Sequence, residues 1–169
     1  MKKLLIVMGI SLLAFASCKS NAPLKNKFIK VENGHFIRDG KPYYYIGTNY
    51  WYGAILGSKG KEGNRQRLIE ELDMMKANGI DYLRALTGAE GPDGEPRRVS
   101  PALQVSPGVY NEELLEGLDF LLVEMAKRKM VAVLFLNNAW EWSGGFSQYL
   151  AWSGKGPIPY KYDFESDRS

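Results

Sequence analysis

Apolar positions along this chain follow three different rhythms. The first is a solid block: Leu4 to Phe15 is almost unbroken behind the cationic start Met1-Lys2-Lys3. A run of about twelve residues is too short to cross a bilayer. Ala16 and Ser17 supply the small residues a signal peptidase requires, so residues 1–17 predict an export signal. Residues 19–27 are polar, contain Pro23 and predict a tether. The second rhythm is short and β-prone. Phe28 to Val31 precedes Asn33-Gly34, and His35 to Arg38 precedes Asp39-Gly40. Both dipeptides suit two-residue hairpin turns, whose central residues need positive φ. Tyr43 to Asn49 then predicts the first strand of a main sheet, with the three tyrosines packed inside it.

The third rhythm is helical. Leu68, Leu72 and Met75, with Ile69 beside them, form one apolar face that begins after Asn64 and ends at Asn78-Gly79. Tyr82 to Leu86 follows as a short strand. A second helix starts behind Asn111, with Leu114, Leu115, Leu118, Leu121, Leu122 and Met125 as its stripe and Lys127-Arg128-Lys129 at its negative end. Val131 to Leu136 is apolar at every position, the signature of a parallel strand covered on both faces.

The order is hairpin, strand, helix, strand, helix, strand, which predicts an α/β fold with a parallel sheet. No G-x-G-x-x-G follows the first strand, which argues against a dinucleotide-binding sheet. Of the 169 residues, 152 remain after the leader, whereas a (β/α)₈ barrel needs about 250. The expectation is therefore the N-terminal portion of such a barrel: an opening hairpin and about three βα units, over residues 28–169. Its third strand would present an unpaired apolar edge, an aggregation hazard.

Composition narrows the chemistry. One cysteine and one histidine exclude a disulfide framework and a Cys/His zinc site. The net charge is +3, and +1 without the two leader lysines, too small to attract nucleic acid. In parallel α/β folds the working residues gather at the carboxyl ends of the strands. Here those ends read Thr48-Asn49-Tyr50-Trp51-Tyr52, then Arg84 with a long Gly/Pro-rich connection from Thr87 to Tyr110, then Asn137-Asn138-Ala139-Trp140-Glu141-Trp142. All four tryptophans lie at or after strand ends and none falls in a predicted helix. Aromatic rings stack on the C–H faces of pyranoses and amides bond their hydroxyls, so the pattern suits a glycan. Arg84, flanked by apolar neighbours, calls for a carboxylate partner. His35 reads as an exposed hairpin residue. Asn111-Glu112 opens a helix and is a cap, not a catalytic pair. Glu141 is better placed, but Glu90, Asp93 and Glu95 lie on a loop that reads as mobile. No second acid stands beside it, as retaining hydrolysis requires.

Four segments carry a resemblance: residues 39–53 (DGKPYYYIGTNYWYG), 81–86 (DYLRAL), 88–119 (GAEGPDGEPRRVSPALQVSPGVYNEELLEGLD) and above all 133–154 (VLFLNNAWEWSGGFSQYLAWSG). In order and spacing the chain resembles the N-terminal part of glycoside hydrolase family 5, in its endo-β-1,4-mannanase branch. The resemblance implies a retaining enzyme acting on internal β-1,4-mannosidic bonds of mannan, glucomannan or galactomannan, with no cofactor or metal. It implies two catalytic glutamates, at the ends of the fourth and seventh strands. Neither strand is found in these residues, so the chain alone is expected to be inactive. Arg84 then corresponds to the arginine that contacts the nucleophile, and Asn49, Trp51, Arg84, Asn138 and Trp140 to the glycan-binding cleft. Two other readings compete: a surface lipoprotein that binds β-glycan without cutting it, and a cellulase-type enzyme of the same clan.

Cys18, at the end of the export signal, matches the lipidated position of a bacterial lipoprotein. The expectation is a protein held on a membrane by lipid at Cys18, at the cell surface or in the periplasm; the alternative is an ordinary secretory signal with an incidental cysteine and a secreted protein.

Overall fold

The computed structural model describes residues 28–158, and the leader, Cys18 and the tether lie outside them. The chain divides into two compact units, one up to Tyr44 and one from Tyr45.

The first unit is an antiparallel meander of β1 (Lys30–Glu32), β2 (His35–Arg38) and β3 (Lys41–Pro42). Asn33 and Gly34 have φ of 49° and 78°, and Asp39 and Gly40 have 51° and 75°, the paired positive values that let both turns follow the strand twist. Val31 pairs with Phe36 and Ile37 with Pro42. Pro42 closes an edge strand, where its missing N–H costs no ladder bond. His35 is exposed, as expected.

The second unit contains a parallel sheet in the order β4 (Gly47–Asn49), β5 (Tyr82–Leu86), β8 (Val131–Phe135). Helix α2 (Arg65–Ala77) crosses from β4 to β5 and α3 (Glu112–Lys127) from β5 to β8. Both helices start where the sequence indicates. The Asn64 side chain accepts from Arg67 N, and the Asn111 side chain accepts from Glu113 N and Leu114 N, which confirms Asn111 as a cap. Leu68, Leu72 and Met75 of α2 and Leu121 and Met125 of α3 are buried with Leu83 and Ala85 of β5. That layer is the core.

Four features depart from the sequence pattern. The strand expected over Tyr43 to Asn49 shrinks to Gly47–Asn49: Tyr44 is 81% exposed, and Tyr45 stacks on Tyr82 at 4.2 Å instead of being buried in a strand. Strand β8 is only half-buried, with Leu134 exposed, because it is an outer strand among the described elements. A short helix, α1 (Gly53–Gly57), packs on α3, where Gly57 faces Gly117 so closely that a Cβ on either would meet backbone oxygen at 2.2 Å. After β8 the chain forms a 3₁₀ turn (Glu141–Ser143) and α4 (Gly145–Trp152), so Trp152 does lie in a helix and Glu141 sits in the turn.

The connection from Thr87 to Tyr110 is braced, contrary to its mobile look. It contains the hairpin β6 (Gln104–Ser106) and β7 (Val109–Tyr110), a bridge between Glu90 and Gln104, and a hydrogen bond from Ala102 N to Asp93 Oδ1. Among the described residues no helix is long and apolar enough to cross a membrane.

Candidate functional site

The parallel register aligns Asn49 with Arg84 and Arg84 with Val133, so the three strands deliver their carboxyl ends to one side of the sheet. Side chains alternate along β5. Leu83 and Ala85 enter the core, and Arg84 takes the opposite face, where it is exposed. No carboxylate pairs with it among the described residues. Its guanidinium lies 3.6 Å from the ring centre of Phe135, and its Nη1 donates to Asn49 Oδ1 at 3.4 Å. Stacking on an aromatic face is a favourable state for a planar, weakly hydrated cation, so Arg84 needs no buried partner to hold its place.

Trp51 is 41% exposed and meets Trp142 edge-on, with centroids 5.7 Å apart. Trp140 is 55% exposed. Its backbone N–H donates to Asn138 Oδ1 at 3.3 Å, and Asn138 O accepts from Phe146 N, so Asn138 shapes the loop that presents Trp140. The structure thus joins Asn49 to Arg84, Trp51 to Trp142, and Asn138 to Trp140. Among the described residues no hydrogen bond or ring contact links the last pair to the other two.

Sequence reasoning missed Glu90. This residue is 3% exposed. Its Oε2 accepts from Gly145 N at 2.9 Å, and its Oε1 accepts from Tyr149 Oη at 3.3 Å and Asn137 Nδ2 at 3.4 Å. Its backbone N–H donates to Ser143 O at 2.9 Å, and Arg98 Nη2 donates to its carbonyl oxygen. Burial pushes the carboxyl above its ordinary value, against the opposing pull of the Gly145 N–H, Tyr149 and Arg98. Tyr149 is 39% exposed, shares its single hydroxyl proton between Glu90 Oε1 and Gln104 Oε1, the latter at 3.0 Å, and contacts Trp152 edge-on. Nothing in the spacing around Glu90 signals this role, because the partners of its carboxyl are 47 to 59 residues away.

A small apolar cleft is lined by Trp51, Leu86, Val99, Pro101, Leu115 and Leu118 among others. It shares only Trp51 with the predicted site. Its walls offer little to bond hydroxyls, so it does not suit a sugar. Among the described residues no group of three or more His, Cys, Asp or Glu could hold a metal ion.

A family model described as GH family 5 beta-mannosidase-like matches residues 26–168. The chain is similar to mannan endo-1,4-beta-mannosidase 3 of Solanum lycopersicum, with 30% identity over 161 residues that cover 94% of this chain and 37% of the relative. It is also similar to mannan endo-1,4-beta-mannosidase 1 of Oryza sativa subsp. japonica, with 32% identity over 127 residues, 75% of this chain and 27% of the relative. A crystal structure of a glycoside hydrolase family 5 mannosidase from Rhizomucor miehei matches with a TM-score of 0.75 and 43% identity, over 79% of this chain and 33% of that one. An endo-1,4-beta-mannanase from the same organism shares the fold, with a TM-score of 0.59 at 23% identity. The chain spans about a third of the length of these relatives.

Proposed function

Since this chain belongs to the glycoside hydrolase family 5 β-mannosidase-like family, we propose that it forms the opening part of a retaining endo-β-1,4-mannanase acting on mannan, glucomannan or galactomannan. Its α/β architecture, a parallel three-stranded sheet with crossover helices, is the N-terminal portion of the family's barrel, and no closed barrel is reached among the described residues. The observation that carries the reading is that the exposed Trp51 and Trp140, together with Asn49, Arg84 and Asn138, lie on or just after the three parallel strands, in the segments that lead from their carboxyl ends.

Each residue then has a physical task. Trp140 and Trp51 offer ring faces to the C–H faces of mannose units, and the Asn138 amide bonds a hydroxyl. Retaining hydrolysis needs two carboxyl groups about 5 Å apart, one to protonate the leaving oxygen and one to attack the anomeric carbon. The resemblance puts both at the ends of strands beyond the three described here, so this polypeptide alone cuts no glycan. Arg84, held flat on Phe135, keeps the nucleophile's carboxylate ionised and oriented when the barrel is complete. The leader is removed and Cys18 carries lipid, which holds the enzyme on a membrane; loss of acyl labelling in Cys18→Ser is the result expected.

One observation favours a second reading. Of two Rhizomucor miehei enzymes, the mannosidase is 43% identical to this chain and the endo-mannanase 23%. A mannosidase that trims chain ends would fit that difference. The deciding experiment is hydrolysis of galactomannan by the full-length protein. A rapid fall in viscosity with oligosaccharide products supports internal cleavage, and release of free mannose with little viscosity change supports the second reading. Cleavage of cellulose alone, or binding with no cleavage, would overturn both.

A further inference from the structure

The loop between β8 and α4 carries Asn138 and Trp140, and one residue outside it holds both of its ends. At the start of the loop, Asn137 Nδ2 donates to Glu90 Oε1 at 3.4 Å. At the far end, Ser143 O accepts from Glu90 N at 2.9 Å and Gly145 N donates to Glu90 Oε2 at 2.9 Å. Glu90 therefore grips the loop through backbone and side chain at once. It also replaces a missing cap: Gly144, at the N-cap of α4, offers no side chain, and the Glu90 carboxyl takes up the first free helical N–H. The fit is close. A Cβ on Gly144 would lie 2.1 Å from Glu90 O, and Gly144 has a φ of +87°, so the chain passes there only as glycine. Arg98 completes the frame by donating to Glu90 O and, at 2.9 Å, to Gln148 Oε1 in α4.

We propose that Glu90 is a positioning residue for glycan binding, fixing the 137–145 loop so that Trp140 and Asn138 meet the sugar in one preset geometry. The inference rests on the mannan-hydrolase reading. It adds to it a residue that touches no substrate, yet sets the affinity of the cleft. A loop that must be ordered by its ligand binds more weakly than one already held. Loss of the clamp therefore raises KM and leaves the chemical step nearly alone.

The test compares wild-type, Glu90→Ala, Glu90→Gln and Tyr149→Phe forms of the full-length enzyme, with β-1,4-mannohexaose as substrate. Removing a buried hydrogen-bonded carboxyl should raise KM about tenfold in Glu90→Ala, with kcat within about twofold. Glu90→Gln keeps an acceptor for Gly145 N and should recover most of the loss. Tyr149→Phe deletes a single hydroxyl and should move KM the same way by less, so the inference stays testable if Glu90→Ala does not fold. Amide hydrogen exchange across residues 137–145 gives a readout that needs no activity, and Glu90→Ala should speed it about tenfold or more. Unchanged exchange, or faster exchange with an unchanged KM, would overturn the proposal, as would a fall in kcat alone. A wild-type enzyme that cleaves no mannan while exchange responds as expected would sink the mannan reading and the glycan role with it, leaving only a loop clamp.

Discussion

Glu124 occupies a position on α3 that the apolar stripe otherwise gives to Leu and Met, and only 4% of its surface is exposed. Lys127 and Arg128 hold it, Arg128 Nη1 at 2.8 Å, and these bonds depress its pKa below the ordinary 4.5. A depressed carboxyl contributes stability that is present above its unfolded value and is lost as pH falls through its folded one. Glu90 behaves in the opposite sense. Its raised pKa gives stability that is full below 4.5 and is lost as pH rises through the folded value. Thermal unfolding midpoints across pH should separate the two. Glu124→Gln flattens the acid loss below about pH 4.5, and Glu90→Gln lessens the decline from there toward neutrality. Wild-type slopes in either variant would contradict the assignment. Glu124 was open to detection from the sequence, since an acid on an apolar helical face is itself a signal. The Phe135 ring under the Arg84 guanidinium was not legible, because strand periodicity says which face a side chain takes and not that a Phe ring waits there.

At the scale of elements, the long helices were legible because each carries its own instructions. Asn64 and Asn111 cap α2 and α3, and the apolar spacing in between fixes the buried face. Asn111→Ala should lower stability by about 1 kcal/mol, read as a shifted denaturation midpoint. The short helices were not legible. Helix α1 is five residues long, too short for a period, and its place is set by contact with α3. Gly57→Ala tests that contact directly, since the new methyl meets Gly117 backbone with no flexible neighbour to yield. The expected cost is about 1–3 kcal/mol, and a variant as stable as wild type would show that α1 can shift without loss. Helix α4 shares this dependence: its N-terminal cap comes from Glu90, 55 residues earlier. Capping from that distance leaves no trace in the residues around the helix.

For the whole molecule, the sheet order β4-β5-β8 leaves β8 with one strand neighbour among the described elements, although its sequence reads as doubly covered. Leu134 and Leu136 are 38% and 77% exposed there. Such an edge invites pairing with another chain. The 169-residue polypeptide on its own should self-associate in sedimentation velocity, and Leu136→Lys should raise the monomer fraction. A wild-type chain that stays monomeric at high concentration would refute this. The α/β pattern was readable throughout because helices and strands repeat with local periods, whereas the fastening of one strand-end loop to another involves residues that no local period connects.

That fastening has a consequence for inheritance. Glu90 sits in one strand-end loop and its partners Asn137, Ser143 and Gly145 in the next, so the two loops form a single lock whose halves are encoded apart. A recombination event or a designed chimaera that crosses over between residues 90 and 137 would pair each half with a stranger. Shuffling between relatives should therefore yield well-behaved glycan clefts when both loops travel together, and poorly formed ones when they are parted, however good the match within each loop.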